Sequence, residues 1–482
     1  MELDVLGDIA PIAAVALVLF YVLAIASAIE AILRGRTSQG AIAWVTGLIA
    51  FPYLAVPLYL VFGRNRFAGY LEERDTVETE SQRLIRHTSS NIAQHIVPRE
   101  SRTSIYTSLF RLTRMPATTG NRVELLINGE ATFESIEAGL QKAQNYILFQ
   151  FYILRDDALG QRLGRILADK ARAGVKVFLL YDEIGSPRFG RSKLYRQLKT
   201  VGVRVAPFNT TQGRRNRFQI NFRNHRKVVV VDGEAAWIGG HNVGVEYLGQ
   251  SKRFGHWRDT HIRFAGPAVL GAEIAFATDW QWATRSLMDI DWDTSPDAQG
   301  NSEVLVFPSD PASQYEEAGL MYHQSIVAAQ QRIWIASPYF VPDNAIVSAL
   351  QLAALRGVDV RIIIPDEPDG PVVGMANWSF TRQLLPLGVR VYRYQGGFMH
   401  QKVMLIDSEA CGIGTANFDN RSFRLNFEVT VLVQDSEFAA EVERMLEADM
   451  QRCREVNLEE IENKPAWFTL AMASARLVAP LL

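Results

Sequence analysis

Cysteine is nearly absent. Cys411 and Cys453 are the two in 482 residues, which excludes a disulfide scaffold and a cysteine-ligated zinc site and says little about compartment. Cys411 reads as a small buried residue. Surplus charge is absent too. Lys and Arg number 50 against 52 Asp and Glu, a formal net charge of −2. The chain therefore has no overall basic field to draw a polynucleotide, and nucleic acid is not an expected partner. A composition 48% hydrophobic and 21% charged excludes a disordered polymer, and the length allows two or three domains around a large core. The N-terminus lacks the positive leader of a signal peptide, because Glu2, Asp4 and Asp8 precede its first apolar run.

That run, Ile9 to Leu33, is apolar except for Ser27 and Glu30, and Arg34 and Arg36 follow it. A second run, Gly40 to Gly63, holds no charge and is closed by Arg64 and Arg66. About 20 apolar residues cross a bilayer, so residues 1–66 are expected to form a transmembrane helical hairpin. Pro52 and Pro57 should kink its second helix, with Trp44, Tyr53 and Tyr59 at the membrane interfaces. Arg34 and Arg36 in the loop oppose Arg64, Arg66 and Arg74 beyond it, so the positive-inside rule leaves the orientation open.

Residues 67–120 read as a connector with one or two helices. A duplication follows. Ala143–Ile153 resembles Ala329–Tyr339, Arg172–Val177 resembles Leu355–Val360, and Val201–Val205 resembles Leu387–Val391. These mark a first half, 121–300, and a second, 301–456. In each half, strand-like runs alternate with segments of helical spacing. The strands are 147–153, 175–181 and 203–208, then 333–336, 358–364 and 389–392. The helices are 159–173 and 193–201, then 344–356 and 378–386. This predicts an α/β fold of two pseudo-symmetric sandwich halves, each with a mixed sheet. Residues 457–482 carry Trp467, Phe468, Leu470, Met472 and Leu477, and read either as an amphipathic segment lying on a bilayer or as a terminal helix packed on the domain.

Both halves contain one motif. His225, Lys227 and Asp232 are followed by Gly239, Gly240 and Asn242; His400, Lys402 and Asp407 are followed by Gly414, Thr415 and Asn417. On a strand, positions i and i+2 share a face, so each histidine should point with its lysine. Metal-free phosphodiester transfer needs a nucleophile, a proton donor for the leaving alcohol and cations for the phosphoryl oxygens. Two histidines, two lysines and two asparagine amides supply them. A nucleophilic histidine needs its second ring nitrogen fixed by an acceptor. Asp232 and Asp407 are candidates by proximity in the sequence; Asp259 and Glu428, at matching places in the repeat, are better ones, which would leave Asp232 and Asp407 to hold local turns. His241 has no counterpart in the second half and is expected to be peripheral. His256 and His261 do not repeat, so no metal is expected. Arg214, Arg215, Arg217 and Arg223 form either a solvated loop or a lip for acidic headgroups.

The paired motif resembles the phospholipase D superfamily. More specific stretches resemble bacterial cardiolipin synthases: Asn224–Lys227, Gly239–Asn242, Trp257–His261, Ser337–Asp343, Gly414–Phe423 and Arg476–Leu482, with the apolar pair before them. Ser337 stands where that family usually has threonine. The resemblance covers nearly the whole chain. It implies a phosphatidyltransferase of the bacterial inner membrane, multi-pass, whose partners are phosphatidylglycerol and membrane lipids. Two phosphatidylglycerols would give cardiolipin and glycerol without metal or organic cofactor. His225 is preferred as nucleophile and His400 as acid and base, though pseudo-symmetry makes the pair reversible. The rivals are a membrane-bound phospholipase D hydrolase and a phosphatidylserine-synthase-like transferase.

Overall fold

A computed structural model describes residues 3–35, 37–64, 66–67, 69–70, 93–101, 103–209, 211, 219–290, 292 and 300–479. Arg36, Arg74, Arg214, Arg215 and Arg217 lie outside the described residues. The chain forms two units: residues 1–69 with 210–222, and residues 70–209 with 223–482.

In the first unit, helix α1 (Leu3–Arg34) packs against a second arm made of α2 (Ser38–Ala50) and α3 (Pro52–Leu58). Thr37 caps α2, its hydroxyl accepting from the Gly40 amide. The second arm is not one helix. A proline disfavours helical geometry in the residue before it; Phe51 leaves the helix at φ −138°, ψ 61°, and Pro52 then starts α3. Past Leu58 the coil widens into a π-turn over Tyr59–Gly63. Among the described residues, one helix, Val15–Arg34, is long and apolar enough to cross a membrane alone, which corrects the expectation of two such spans. The face of α1 toward the second arm is small: Ala24, Ala28 and Ala31 are buried against Leu48, Ala55, Val56 and Tyr59. Small residues let helix backbones approach where no hydrophobic drive joins them. The other face of α1 carries exposed Val18, Val22, Ile25, Ile29 and Ile32. Tyr59, expected at a membrane interface, is buried, its ring edge-on to Trp44 with centroids 5.3 Å apart.

In the second unit, the first half contributes strands β1 (Thr118–Ile127), β2 (Tyr146–Phe151), β3 (Lys176–Asp182), β4 (Arg204–Phe208), β5 (Arg223–Asn224), β6 (Val228–Val231), β7 (Ala235–Gly239), β8 (Trp257–Arg258) and β9 (Thr260–Ala265). The second half contributes β10 (Ser302–Ser309), β11 (Arg332–Ala336), β12 (Phe340–Val341), β13 (Asp359–Pro365), β14 (Arg390–Tyr394), β15 (Phe398–Met399), β16 (Val403–Ile406), β17 (Ala410–Gly414), β18 (Phe418–Asp419), β19 (Asn426–Gln434) and β20 (Cys453–Glu455). The strand order is β20-β14-β13-β11-β16-β17-β19-β10-β1-β9-β7-β6-β2-β3-β4. From the central β10–β1 pair outward, the two sides repeat, with β20 the one addition. The outer three strands of the repeat are parallel and the inner ones antiparallel. The two mixed sheets expected from sequence are thus one hydrogen-bonded path.

The central joint is irregular: the register slips between Thr118 and Asn121. Asn121, fully buried, donates to the Thr118 and Ser302 carbonyls at 2.7 and 3.2 Å and accepts from the Ala268 amide at 2.8 Å. It supplies the partners that the slipped ladder leaves out.

The connector's described helix, Ser104–Thr113, does not stand apart. Tyr106 and Leu109 are buried in the core of the second half, and the Tyr106 hydroxyl donates to the Glu303 carbonyl at 3.1 Å. The helix expected over 378–386 starts earlier, at Pro371, and ends at Leu384, because Pro is at home in a first helical turn. The last helix, Ala466–Leu477, meets both expectations with different faces. Met472 and Ala475 enter the second-half core, while Trp467, Leu470 and Leu477 remain exposed.

Replacing Asn121 by Ala strands three buried backbone groups at the joint. It should lower stability by about 2–3 kcal/mol, read as a lower midpoint in thermal unfolding of the detergent-solubilised protein; an unchanged midpoint would show that the joint does not need this side chain.

Candidate active site

Each motif was expected on an unbroken strand. The structure instead breaks the strand at the motif. β5 pairs in parallel with β19 of the other half, residues 225–227 follow without a ladder, and β6 then pairs with β2 and β7 of its own half. The second motif does the same: β15 pairs with β8 of the first half, and β16 with β11 and β17. The chain therefore changes sheets at the histidine. The His225 amide donates to the Phe427 carbonyl at 2.9 Å, and the His400 amide to the Arg258 carbonyl at 2.7 Å.

This crossing gives each histidine a carboxylate from the opposite half. His225 Nδ1 is 3.0 Å from both Glu428 oxygens. His400 Nδ1 is 2.8 Å from Asp259 Oδ2. With a carboxylate as acceptor, Nδ1 carries the proton and Nε2 keeps its lone pair. The supports differ. Glu428 also accepts from Thr415 Oγ1 at 2.6 Å, Ser422 Oγ at 2.9 Å and Asn426 Nδ2 at 3.0 Å. Asp259 accepts from the Thr260 amide at 2.8 Å and the Trp257 indole at 3.3 Å. Gly240, in the place of Thr415, leaves room for it, since a Cβ there would lie 2.0 Å from Asp259 Oδ1.

The flanking residues are anchored by two further carboxylates that the sequence reading missed. Asp279, fully buried, accepts from Gln150, Asn224 and Arg226 at 2.7–2.8 Å and from Tyr70 at 2.9 Å. Asp449 accepts from Arg258 Nε and Nη2 at 2.7 Å each and from Gln401 at 2.8 Å. Each lies on the helix after its half's last inner strand. The shared position in the repeat is the signal that could have found them.

Lys227 and Lys402 are buried beside the histidines. Lys227 Nζ donates to the His225 carbonyl at 2.6 Å; Lys402 Nζ donates to the His400 carbonyl and lies 3.0 Å from His400 Nδ1. Burial pushes Lys227 down to about 7 and Lys402 to about 8, in each case against the pull of Asp259 and Glu428. Burial likewise lowers His225 to about 4 against Glu428, and His400 to about 3, there reinforced by Lys402. Each histidine also feels the other half's lysine, so the two motifs share one site. Burial would raise both carboxyls, but His241, His400 and Lys402 hold Asp259 low, and His225 and Lys227 hold Glu428 low. The result is a neutral imidazole pair with two lysines beside it, each lysine charge balanced by a carboxylate of the same recess.

Asp232 and Asp407 do not join it. Both lie past the strand end in the left-handed region, at φ +53° and +51°, which Asp tolerates better than most residues. Asp232 accepts from the amides of Gln144, Asn145 and Tyr146 at 2.6–2.8 Å. Asp407 accepts from those of Gln330, Gln331 and Arg332 at 2.7–3.1 Å. They pin the starts of β2 and β11, at the opposite end of β6 and β16 from the histidines, so their place among the catalytic candidates is corrected to a structural one. Asn242 is corrected as well. Its Oδ1 accepts from the Ile153 amide at 3.0 Å and its Nδ2 donates to the Tyr247 hydroxyl at 3.1 Å, so it holds loops together. Asn417 differs, with its buried Oδ1 lacking a hydrogen bond. His241 is not peripheral: it is buried behind Asp259 with its Nδ1 3.1 Å from His261 Nδ1. Among the described residues, no group of three or more His, Cys, Asp or Glu side chains is placed to hold a metal ion.

A duplicated α/β fold with histidine–carboxylate pairs exchanged between its halves defines the phospholipase-D-like class, and known proteins narrow it. Residues 136–252 and 322–450 match the family described as cardiolipin synthase, PLD-like domain, and residues 22–64 match phospholipase D-nuclease N-terminal. Cardiolipin synthase A of Pseudomonas aeruginosa is 47% identical over 464 residues, covering 96% of this chain and 94% of that protein. Cardiolipin synthase A of Pseudomonas fluorescens is 46% identical over 471 residues, covering 96% and 97%. The crystal structure of phosphatidylserine synthase from Haemophilus influenzae shares the fold, with a TM-score of 0.58 at 16% identity over 79% of this chain and all of that one. The chain belongs to the cardiolipin synthase family. With its apolar N-terminal helix, it is a membrane-associated protein.

Two outcomes are expected. Because the free enzyme's groups govern kcat/KM, its pH profile should fall above pH about 7 to 8, as Lys227 and Lys402 lose charge. A profile flat from pH 6 to 10 would rule out charged lysines as the phosphate ligands. Asp407→Ala should act on stability, lowering it by about 1–2 kcal/mol through the loss of hydrogen bonds to three amides and the placing of Ala in the left-handed region. A variant of unchanged melting temperature that loses turnover would instead return Asp407 to the chemistry.

Proposed function

We propose that this protein transfers the phosphatidyl group of one phosphatidylglycerol to the glycerol hydroxyl of another, giving cardiolipin and glycerol. The observation that carries the mechanism is the pair of imidazoles, each oriented by a carboxylate of the opposite half. His225 Nε2 attacks the phosphorus of the first lipid, forming a phosphorus–nitrogen bond. The bond to the glycerol oxygen breaks, and protonated His400 gives that oxygen its proton. Neutral His400 then takes the proton from the second lipid's hydroxyl, whose oxygen attacks phosphorus and releases His225. Lys227, Lys402 and the Asn417 amide hold the nonbridging oxygens, and Glu428 and Asp259 are positioning residues. The lipid phosphate is itself part of this cycle. Its negative charge offsets the lysines that depress His400 and so lets His400 carry a proton when substrate is bound.

His225 is assigned the attack because Glu428 is held by three neutral donors besides the histidine, a fixed anion behind a ring that becomes covalently modified. Asp259 has titratable neighbours, His241 among them, which suits the partner that cycles a proton. Water in place of the second lipid would give phosphatidic acid, and serine would give phosphatidylserine.

The site is read as working at the bacterial inner membrane, with α1 and the broken arm α2–α3 crossing together as a pair. Exposed Trp467, Leu470 and Leu477 on the last helix fit contact with the bilayer. The Ala479 carbonyl of that segment accepts from Asn420, three residues past Asn417, which puts it near the candidate site.

Purified protein with phosphatidylglycerol in detergent micelles should yield cardiolipin and glycerol, with any excess of glycerol matched by phosphatidic acid formed from water. His400→Ala should reduce turnover about a thousandfold. Protein quenched during turnover and mapped by mass spectrometry should carry its phosphatidyl adduct on His225. An adduct on His400 would reverse the two roles, and phosphatidic acid as sole product would replace the transferase by a hydrolase.

A further inference from the structure

The proposed reaction requires a place for the second alcohol on the His400 side of the phosphorus, because His400 takes its proton. A cavity of about 380 Å³ lies there, lined by Arg253, Phe254, the turn Asp366–Asp369 and the segment Tyr394–Phe398. It shares a wall with the site. The Phe398 ring stands 5.8 Å from the His400 ring and 5.0 Å from Trp257, which itself lies 5.1 Å from His400. Asp369 accepts a hydrogen bond from the Tyr339 hydroxyl, and its charge reaches Lys402.

The lining is selective in kind. Asp366, Glu367, Asp369 and the Gln395 amide oxygen accept hydrogen bonds, as a polyol's hydroxyls require, and the three carboxylates repel a phosphate. The Asp366 carboxylate is already engaged by Arg393 and Arg454 at 2.9 and 3.0 Å, which leaves Glu367 and Asp369 as the exposed acceptors. The wall adds a buried polar group. The Tyr394 hydroxyl makes no hydrogen bond of good geometry, with the Arg452 guanidinium as its charged neighbour. At one side, exposed Arg253 lies over the Phe254 ring at 4.9 Å and donates to the Asp369 carbonyl at 3.3 Å. It is the one cation among the lining residues. The backbone shapes the opposite wall: Gly397, at φ +137°, passes so close that a Cβ would lie 2.1 Å from the His256 carbonyl oxygen.

We propose that this cavity is the acceptor subsite, taking the glycerol diol of the second phosphatidylglycerol against Asp369 and Glu367 with that lipid's own phosphate at Arg253. The inference rests on the phosphatidyl transfer proposed above and adds what favours a lipid alcohol over water. A site that fixes a hydroxyl through acceptors loses about tenfold or more in preference when one acceptor is removed.

The test is a product ratio. With full-length protein in phosphatidylglycerol micelles, the lipid acceptor would give cardiolipin and water phosphatidic acid, so one reaction reads both. Asp369→Ala should lower the cardiolipin to phosphatidic acid ratio about tenfold. Asp369→Asn, which keeps the bond to Tyr339, should lower it less. Arg253→Ala should raise the KM for the lipid acceptor, while transfer to added free glycerol, which has no phosphate, keeps its KM. Ratios within twofold of wild type in both Asp369 variants, or equal falls in the two products, would overturn the acceptor subsite and leave the transfer reaction standing. Wild-type protein that makes phosphatidic acid alone would overturn the transfer itself.

Discussion

The hydrogen bond from each histidine to a carboxylate of the other half is the constraint around which the second unit is arranged. His225 answers to Glu428 and His400 to Asp259, and neither half can supply both members of a pair. The backbone enforces the exchange. β5 and β15 add onto strands of the opposite half before the chain turns back into its own sheet. A central β1–β10 ladder joins the halves. Burial of two lysines and two histidines is unfavourable for any charge they carry. It is tolerated because the carboxylates lie within the same recess, and because Asp279 and Asp449 hold the flanking Arg226, Arg258 and Gln401 in place.

Duplication supplied the two motifs, and divergence made them unequal. Thr415, Ser422 and Asn426 surround Glu428 with neutral donors. At the matching position, Gly240 has no side chain, and the shorter Asp259 fills that space with His241 and His261 behind it. Under the proposed two-step transfer one imidazole would bond phosphorus and the other move a proton, and these unequal surroundings would supply that difference without any change in the histidines or lysines themselves.

The first unit obeys another solvent's rules. The buried seam of α1 is alanine and its outward surface is valine, leucine and isoleucine, the reverse of a soluble helix. For a member of the cardiolipin synthase family, this apolar surface is consistent with a phospholipid substrate.

Much of this was legible in the residues. Alternating apolar periods placed the six strands bounded from sequence, and three of the four helices of the repeat, within a residue or two. The repeat located His225, Lys227, His400 and Lys402, and its matched positions pointed to Asp259 and Glu428 before any distance was known. These features survive in one dimension because burial and repetition leave a period or a spacing. The rest depended on contacts between residues far apart in the chain. That Asp232 and Asp407 grip backbone amides some 75 to 88 residues away, that Asn242 holds loops while Asn417 does not, that the carboxylates are exchanged between halves, and that Pro52 splits the second apolar run are all outcomes of packing. A carboxylate in a motif looks the same in sequence whether it faces a phosphate or an amide. The fold decides by placing one end of the strand in the site and the other at its back.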